Sequence, residues 1–140
     1  METSSGDLIR TWRKIYSSSR EMAQWKWDAT YQAALCEFPA FNSSKFLTIL
    51  VDNFTCCWDS NTITSAPSDI LQLTDRLGGL QPDQLILCSS AEHDTPAIGA
   101  FWPWQNSDTV SIRIFPDKQV NEDRQVDSDY SIFKNLFNIN

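Results

Sequence analysis

Residues 96–115 read PAIGAFWPWQNSDTVSIRIF, and this stretch decides the fold. Ile98, Ala100, Trp102 and Trp104 alternate with other residues in its first half; Val110, Ile112 and Ile114 alternate with Ser111 and Arg113 in its second. A period of two marks a strand with two unlike faces, and Gln105-Asn106-Ser107-Asp108 supplies a polar turn between the halves. The segment therefore predicts an antiparallel hairpin. Pro103 cannot donate to a hydrogen-bond ladder, so the first strand is expected to lie at a sheet edge or to end near Trp102.

Working upstream, Pro82-Asp83 leads into Gln84-Leu85-Ile86-Leu87-Cys88, a short apolar run that reads as a strand covered on both faces. Before it, Ile70, Leu71, Leu73 and Leu77 recur at helical spacing, with Ser65 or Ser68 able to cap the start. Gly78-Gly79 ends that helix with the left-handed backbone such ends favour. Lys45 to Val51 (KFLTILV) is apolar at nearly every position and is followed, after Asp52-Asn53, by Phe54-Thr55-Cys56-Cys57-Trp58. The direct reading is two strands joined by a tight turn. A strand, a helix and a buried strand in that order then predict a right-handed crossover.

At the N-terminus, Leu8, Ile9, Trp12, Ile15 and Tyr16 form a helical stripe, with Ser5 or Asp7 as cap. A second helical stretch is expected over Arg20 to Leu35, where Met22, Trp25, Ala29 and Ala33 fall near one face, and Phe38-Pro39 closes the helical region. Asp117 to Asp129 holds five acids, Lys118, Arg124 and almost no apolar side chain, so it reads as a solvated linker. Tyr130, Ile132, Phe133, Leu136 and Phe137 then restore helical spacing. The fold expected is α+β: N-terminal helices, a mixed sheet of about five strands with one crossover helix, and a C-terminal hairpin plus short helix. One domain spans 1–140, with a helical part at 1–41, a sheet core at 45–116, an acidic linker at 117–129 and a terminal helix at 130–140.

Composition narrows the function. A chain of 140 residues, 41% hydrophobic and 21% charged, suits one globular core, which would bury somewhat over ~65% of the unfolded surface. Net charge is −7, and past residue 28 there are fourteen acids against six bases. That balance repels phosphate backbones, so no nucleic-acid partner is expected. No segment approaches the ~18 apolar residues a membrane span requires, and the N-terminus has no apolar stretch suited to export. A soluble cytoplasmic protein is expected, and the sequons at Asn42 and Asn53 read as coincidental. Cys36, Cys56, Cys57 and Cys88 lie mostly in apolar stretches, as free thiols in a reducing compartment do.

Catalytic and metal chemistry find little support. Glu92-His93-Asp94 follows the strand ending at Cys88, a placement where a thiol and an imidazole could pair, yet a histidine between two carboxylates is usually an exposed loop group. Cys56 and Cys57 are adjacent, so on a strand they point to opposite faces and cannot chelate one ion together. Asp52 and Asp59 flank a candidate strand without any phosphate loop or basic clamp, and Gly78-Gly79 follows a helix where a phosphate cradle would open one. No metal and no cofactor are expected.

Aromatic residues carry the functional reading. Six Trp and eight Phe exceed what a core of this size usually needs. Trp102-Pro103-Trp104 places two indoles on one strand face, and Trp25-Lys26-Trp27, read as helix, sets its indoles about 200° apart so that one faces outward. Trp25, Trp27, Trp102 and Trp104 are the candidate partner-binding residues. The function expected is a noncatalytic protein-interaction module, such as an adaptor, assembly chaperone or small subunit, with a protein partner of basic character. The alternatives are a small hydrolase or transferase using Asp52, Cys88 and His93, and an acidic inhibitor or immunity-type protein; the oligomeric state is open.

Overall fold

A computed structural model describes residues 5–89, 97–104, 108–116 and 130–139. The fold is α+β. Helix α1 spans Ser5–Ser19, strand β1 Lys26–Asp28, β2 Ala33–Pro39, helix α2 Ser43–Asn53, β3 Cys56–Trp58, helix α3 Ser68–Arg76, β4 Leu85–Cys88, β5 Ile98–Pro103, β6 Thr109–Phe115 and helix α4 Ser131–Leu136. Six strands form one sheet in the order β1-β2-β6-β5-β4-β3.

Every adjacent pair in that sheet is antiparallel. This corrects the expected mixed sheet of about five strands. β3 and β4 run antiparallel beside each other with α3 between them in sequence, so α3 links direct neighbours and is no crossover. The β5–β6 hairpin forms as expected, with Phe101 opposite Ile112 and Trp102 opposite Ser111. β5 is a central strand, and Pro103 is tolerated because it lies at the strand end, beyond the last β4 pairing at Phe101.

The segment from 20 to 53 reverses the expected element types. The helix expected over Arg20–Leu35 gives way to a hairpin: helix α1 stops at Ser19, where Ser17 and Ser19 donate their hydroxyls to the carbonyls of Arg13 and Ile15 one turn back. The Asp28 carboxylate accepts the backbone N–H of Thr30 and of Tyr31, Gln32 takes a positive φ of 54°, and β2 returns against β1. The strand expected over Lys45–Val51 is helix α2. Phe46 and Leu50, four residues apart, are both fully buried, whereas Val51 is 55% exposed, so the apolar run has a helical face after all.

The helix over 68–76 matches expectation in place, and Gly78 and Gly79 take φ of 93° and 84° as a helix end requires. Its cap position is Pro67, and neither Ser65 nor Ser68 caps it by side chain. The Glu92-His93-Asp94 triplet and the 117–129 linker lie outside the described residues.

Side-chain alternation divides the core between the two sheet faces. One face carries Ala34, Cys36, Phe38, Phe101, Ile112 and Ile114, and beneath α1, α2 and α4 these pack with Ile15, Phe46, Leu50, Phe133 and Phe137. The other carries Ala33, Ile86, Cys88, Ile98, Ala100 and Phe115, which pack with Ile70 and Leu73 of α3. Among the described residues, three helices cover the first face and one covers the second.

Candidate functional site

That imbalance has a geometric consequence. Six strands about 4.8 Å apart span roughly 24 Å, whereas α3 has nine residues, so it is about 14 Å long and about 10 Å wide. It can cover two or three strands. Ile70 and Leu73 share one buried cluster with Ile86, Cys88, Ile98 and Ala100 of β4 and β5, together with Ala33 of β2 and Phe115 of β6. Further along the same face, over Glu37, Ser111, Arg113 and the far end of β5, the exposed lining comes from strand and loop residues and, among the described residues, from none within a helix.

A hollow of about 310 Å³ opens there, at the low end of the size range of ligand pockets. Ala100 and Ser111 form its floor, because small side chains on neighbouring strands leave a depression where bulkier ones would fill it. Trp102, Trp104 and Tyr31 supply aromatic walls, and Leu77, just past the end of α3, closes one side. Trp102 is half-buried against the α3-side core, while Trp104 is 46% exposed. The Trp104 indole is held in place, its Nε1–H donating to Ser111 Oγ at 2.7 Å.

Charges sit in the same register. Arg113 on β6 donates from Nε to Asp28 Oδ2 at 2.7 Å, and its guanidinium carbon stands 5.2 Å from the centre of the Tyr31 ring. Glu37 lies directly across from Ser111, and Ser111 directly across from Trp102, so all three share one row of one face. Lys26 Nζ is 3.7 Å from Glu37 Oε1, with the lysine side chain 63% exposed. The arrangement offers aromatic surface, a paired cation and a partly satisfied carboxylate.

The structure separates the four tryptophans expected at a docking surface. Trp102 and Trp104 meet in the hollow, as the alternation of β5 predicts. Trp25 and Trp27 lie on the opposite face. Here the helical reading misplaces them: in an extended chain, residues two apart share a face, and both pack into the helix-covered core. Trp25 is 4% exposed, edge-on to Phe137 at 4.9 Å, and its Nε1 donates to Ser19 Oγ. Trp27 is half-buried beneath α4, 5.7 Å from the Tyr130 ring and with Lys134 Nζ 4.4 Å from its own ring centre.

The residues of the alternative catalytic reading fall elsewhere. Asp52 is exposed on α2 and is not at a strand end; Cys88 is 1% exposed inside β4. Asp59 ends β3 as a turn residue, and its carboxyl is held below the ordinary carboxylate range by hydrogen bonds from the backbone N–H of Asn61, the hydroxyl of Thr62 and the backbone N–H of Thr62. Among the described residues no group of three His, Cys, Asp or Glu side chains is placed to hold a metal ion, and no helix is long and apolar enough to cross a membrane.

Sequence reasoning misses Tyr31, Glu37, Ser111 and Arg113. The last two are visible as the outward residues of an alternating strand; Tyr31 and Glu37 are hidden by the helical reading of 20–35. Comparison of the chain with family models, with curated proteins and with solved structures finds no match.

Proposed function

We propose that this chain is a noncatalytic protein-interaction module, of the adaptor, assembly-chaperone or small-subunit kind, which docks a partner polypeptide on the sheet face beside Trp102 and Trp104. One observation carries the reading: Trp104, 46% exposed, and half-buried Trp102 stand beside a hollow that opens past the end of α3. Trp is the residue most often found at the energetic centre of interfaces, because a large rigid surface is desolvated there at small entropic cost. Net charge of −7 favours a partner of basic character through long-range attraction. A reducing compartment such as the cytoplasm suits the buried thiols Cys36 and Cys88.

Site-directed photo-crosslinking tests this. p-Benzoylphenylalanine in place of Trp104 should give one discrete adduct in cells of the native source, and the same probe in place of Val51, exposed on α2 on the other side of the sheet, should give none. Adducts of equal yield at both positions, or none at 104, would overturn the reading.

A further inference from the structure

The hollow has a defined place for a cation. Glu37, Ser111 and Trp102 occupy one cross-strand row on one face, so Glu37 and Trp102 stand two strand spacings apart, about 9.6 Å at the backbone, with the small Ser111 between them. The result is a notch with a carboxylate on one side, an indole on the other and a hydroxyl at the bottom. Trp104 closes its end, because its hydrogen bond to Ser111 draws the second indole toward the row.

The neighbouring charges do not saturate that carboxylate. Arg113 is committed elsewhere: its Nε is on Asp28 and its guanidinium lies against Tyr31. Lys26 reaches Glu37 only at 3.7 Å, from a side chain 63% exposed, which is a loose and easily displaced contact. Glu37 itself is 36% exposed at its side chain, so one carboxylate oxygen is within reach of an incoming donor.

We propose that this notch receives the guanidinium of an arginine on the partner polypeptide, flat against Trp102 and Trp104 with its N–H groups on Glu37. The proposal rests on the reading of this face as a docking surface and names the anchor it takes. An arginine fits better than a lysine: its planar fork suits a carboxylate, its flat face stacks on indoles, and its weaker hydration costs less to strip. The excess of acids over bases in this chain draws such a side chain inward.

The test uses the full chain and a defined probe: the acetylated, amidated peptide Gly-Ser-Gly-Arg-Gly-Ser-Gly and its counterpart with citrulline, which keeps the shape and loses the charge. Binding is read by NMR from the indole N–H signals of Trp102 and Trp104. The arginine peptide should bind about tenfold more tightly than the citrulline one, and Glu37→Gln should remove that difference. Lys26→Met should tighten arginine binding two- to threefold by freeing Glu37, an effect that a merely structural role for Glu37 does not produce. Trp104→Phe should retain part of the affinity and Trp104→Ala should lose most of it.

Equal affinity for the two peptides, an unchanged difference in Glu37→Gln, or no saturable shift up to about 10 mM overturns the arginine anchor. If the crosslink at position 104 still forms in cells, the docking surface stands and only the anchor falls. If the crosslink is absent as well, both fall together.

Discussion

Arg113 on β6 and Asp28 on β1 are joined at 2.7 Å although their strands are not neighbours: the arginine side chain crosses the whole of β2 to reach the carboxylate. Both side chains are largely shielded, at 19% and 11% exposure. Asp28 also accepts two backbone N–H groups through its other oxygen, so one carboxylate fixes the β1–β2 turn and ties the edge strand to the sheet centre.

Asp28→Ala should therefore destabilise the fold by about 2–4 kcal/mol, because it strands a shielded cation and unties the turn at once. Arg113→Met, which leaves Asp28 its two turn hydrogen bonds and keeps apolar bulk over β2, should cost less. Urea unfolding of the two variants gives the order directly, and the reverse order would contradict this account.

Two buried indoles form a matched pair. Trp25 donates its Nε1–H to Ser19, whereas the Trp12 Nε1 is buried with no hydrogen-bond partner among the described residues. Replacement by phenylalanine removes a satisfied donor in one case and an unsatisfied one in the other. Trp25→Phe should cost about 2–3 kcal/mol and Trp12→Phe about 1 kcal/mol or less, since losing the orphaned donor offsets part of the lost packing. Thermal or urea unfolding of the two variants reads the difference, and equal losses would contradict it.

Thiol reactivity should follow burial. Cys36 is enclosed, and burial, with a smaller contribution from the Glu37 carboxylate, pushes its thiol far above the ordinary value. Cys57 is exposed but also raised, first by partial burial and then by Asp59. A raised pKa means less thiolate at a given pH. Alkylation by iodoacetamide at about pH 8 should hence reach Cys57 ahead of Cys36 and Cys88 but slower than a free thiol, with its rate midpoint at higher pH. Asp59→Asn should lower that midpoint. Labelling of Cys88 faster than Cys57 in the native protein would instead favour thiol chemistry at the end of β4.

Gly99 sits where β5 passes under the helices. A Cβ there would stand 3.2 Å from Ile114 Cδ1 and 3.3 Å from the Phe54 ring, tighter than ordinary contact. Gly99→Ala should lower the unfolding midpoint by an amount corresponding to about 1–2 kcal/mol, in spite of the usual benefit of alanine over glycine in a strand. A more stable variant would show that Phe54 can move aside.

Much of the architecture can be read from local pattern. α1, α3, β4, the β5–β6 hairpin and α4 each carry a clear period or a pair of boundary residues, and each lies where expected. The failures concentrate between 20 and 53. In β2 the four residues Ala33, Ala34, Leu35 and Cys36 are all buried, because the strand lies between β1 and β6 with packing on both faces. Such a segment has no alternation to display, and its alanines and leucine favour helix in isolation. In α2 the run KFLTILV hides its helical face among apolar residues that point outward, and a continuous apolar run does not distinguish helix from strand. Asn42-Ser43-Ser44 ahead of it is the available helix-start signal.

The proposed docking site shows the same division. Local pattern alone places Trp102 and Trp104 on one strand face with Ala100 and makes this an acidic α+β protein, because alternation and charge are written residue by residue. That the hollow opens past the end of α3, that Trp25 and Trp27 turn into the core, and that Glu37 and Arg113 join the indoles was fixed only once the chain was folded. Those outcomes depend on which strands lie side by side, and pairing between residues as far apart as Asp28 and Arg113 is set by how two faces of a sheet share four helices, which no local window of sequence contains.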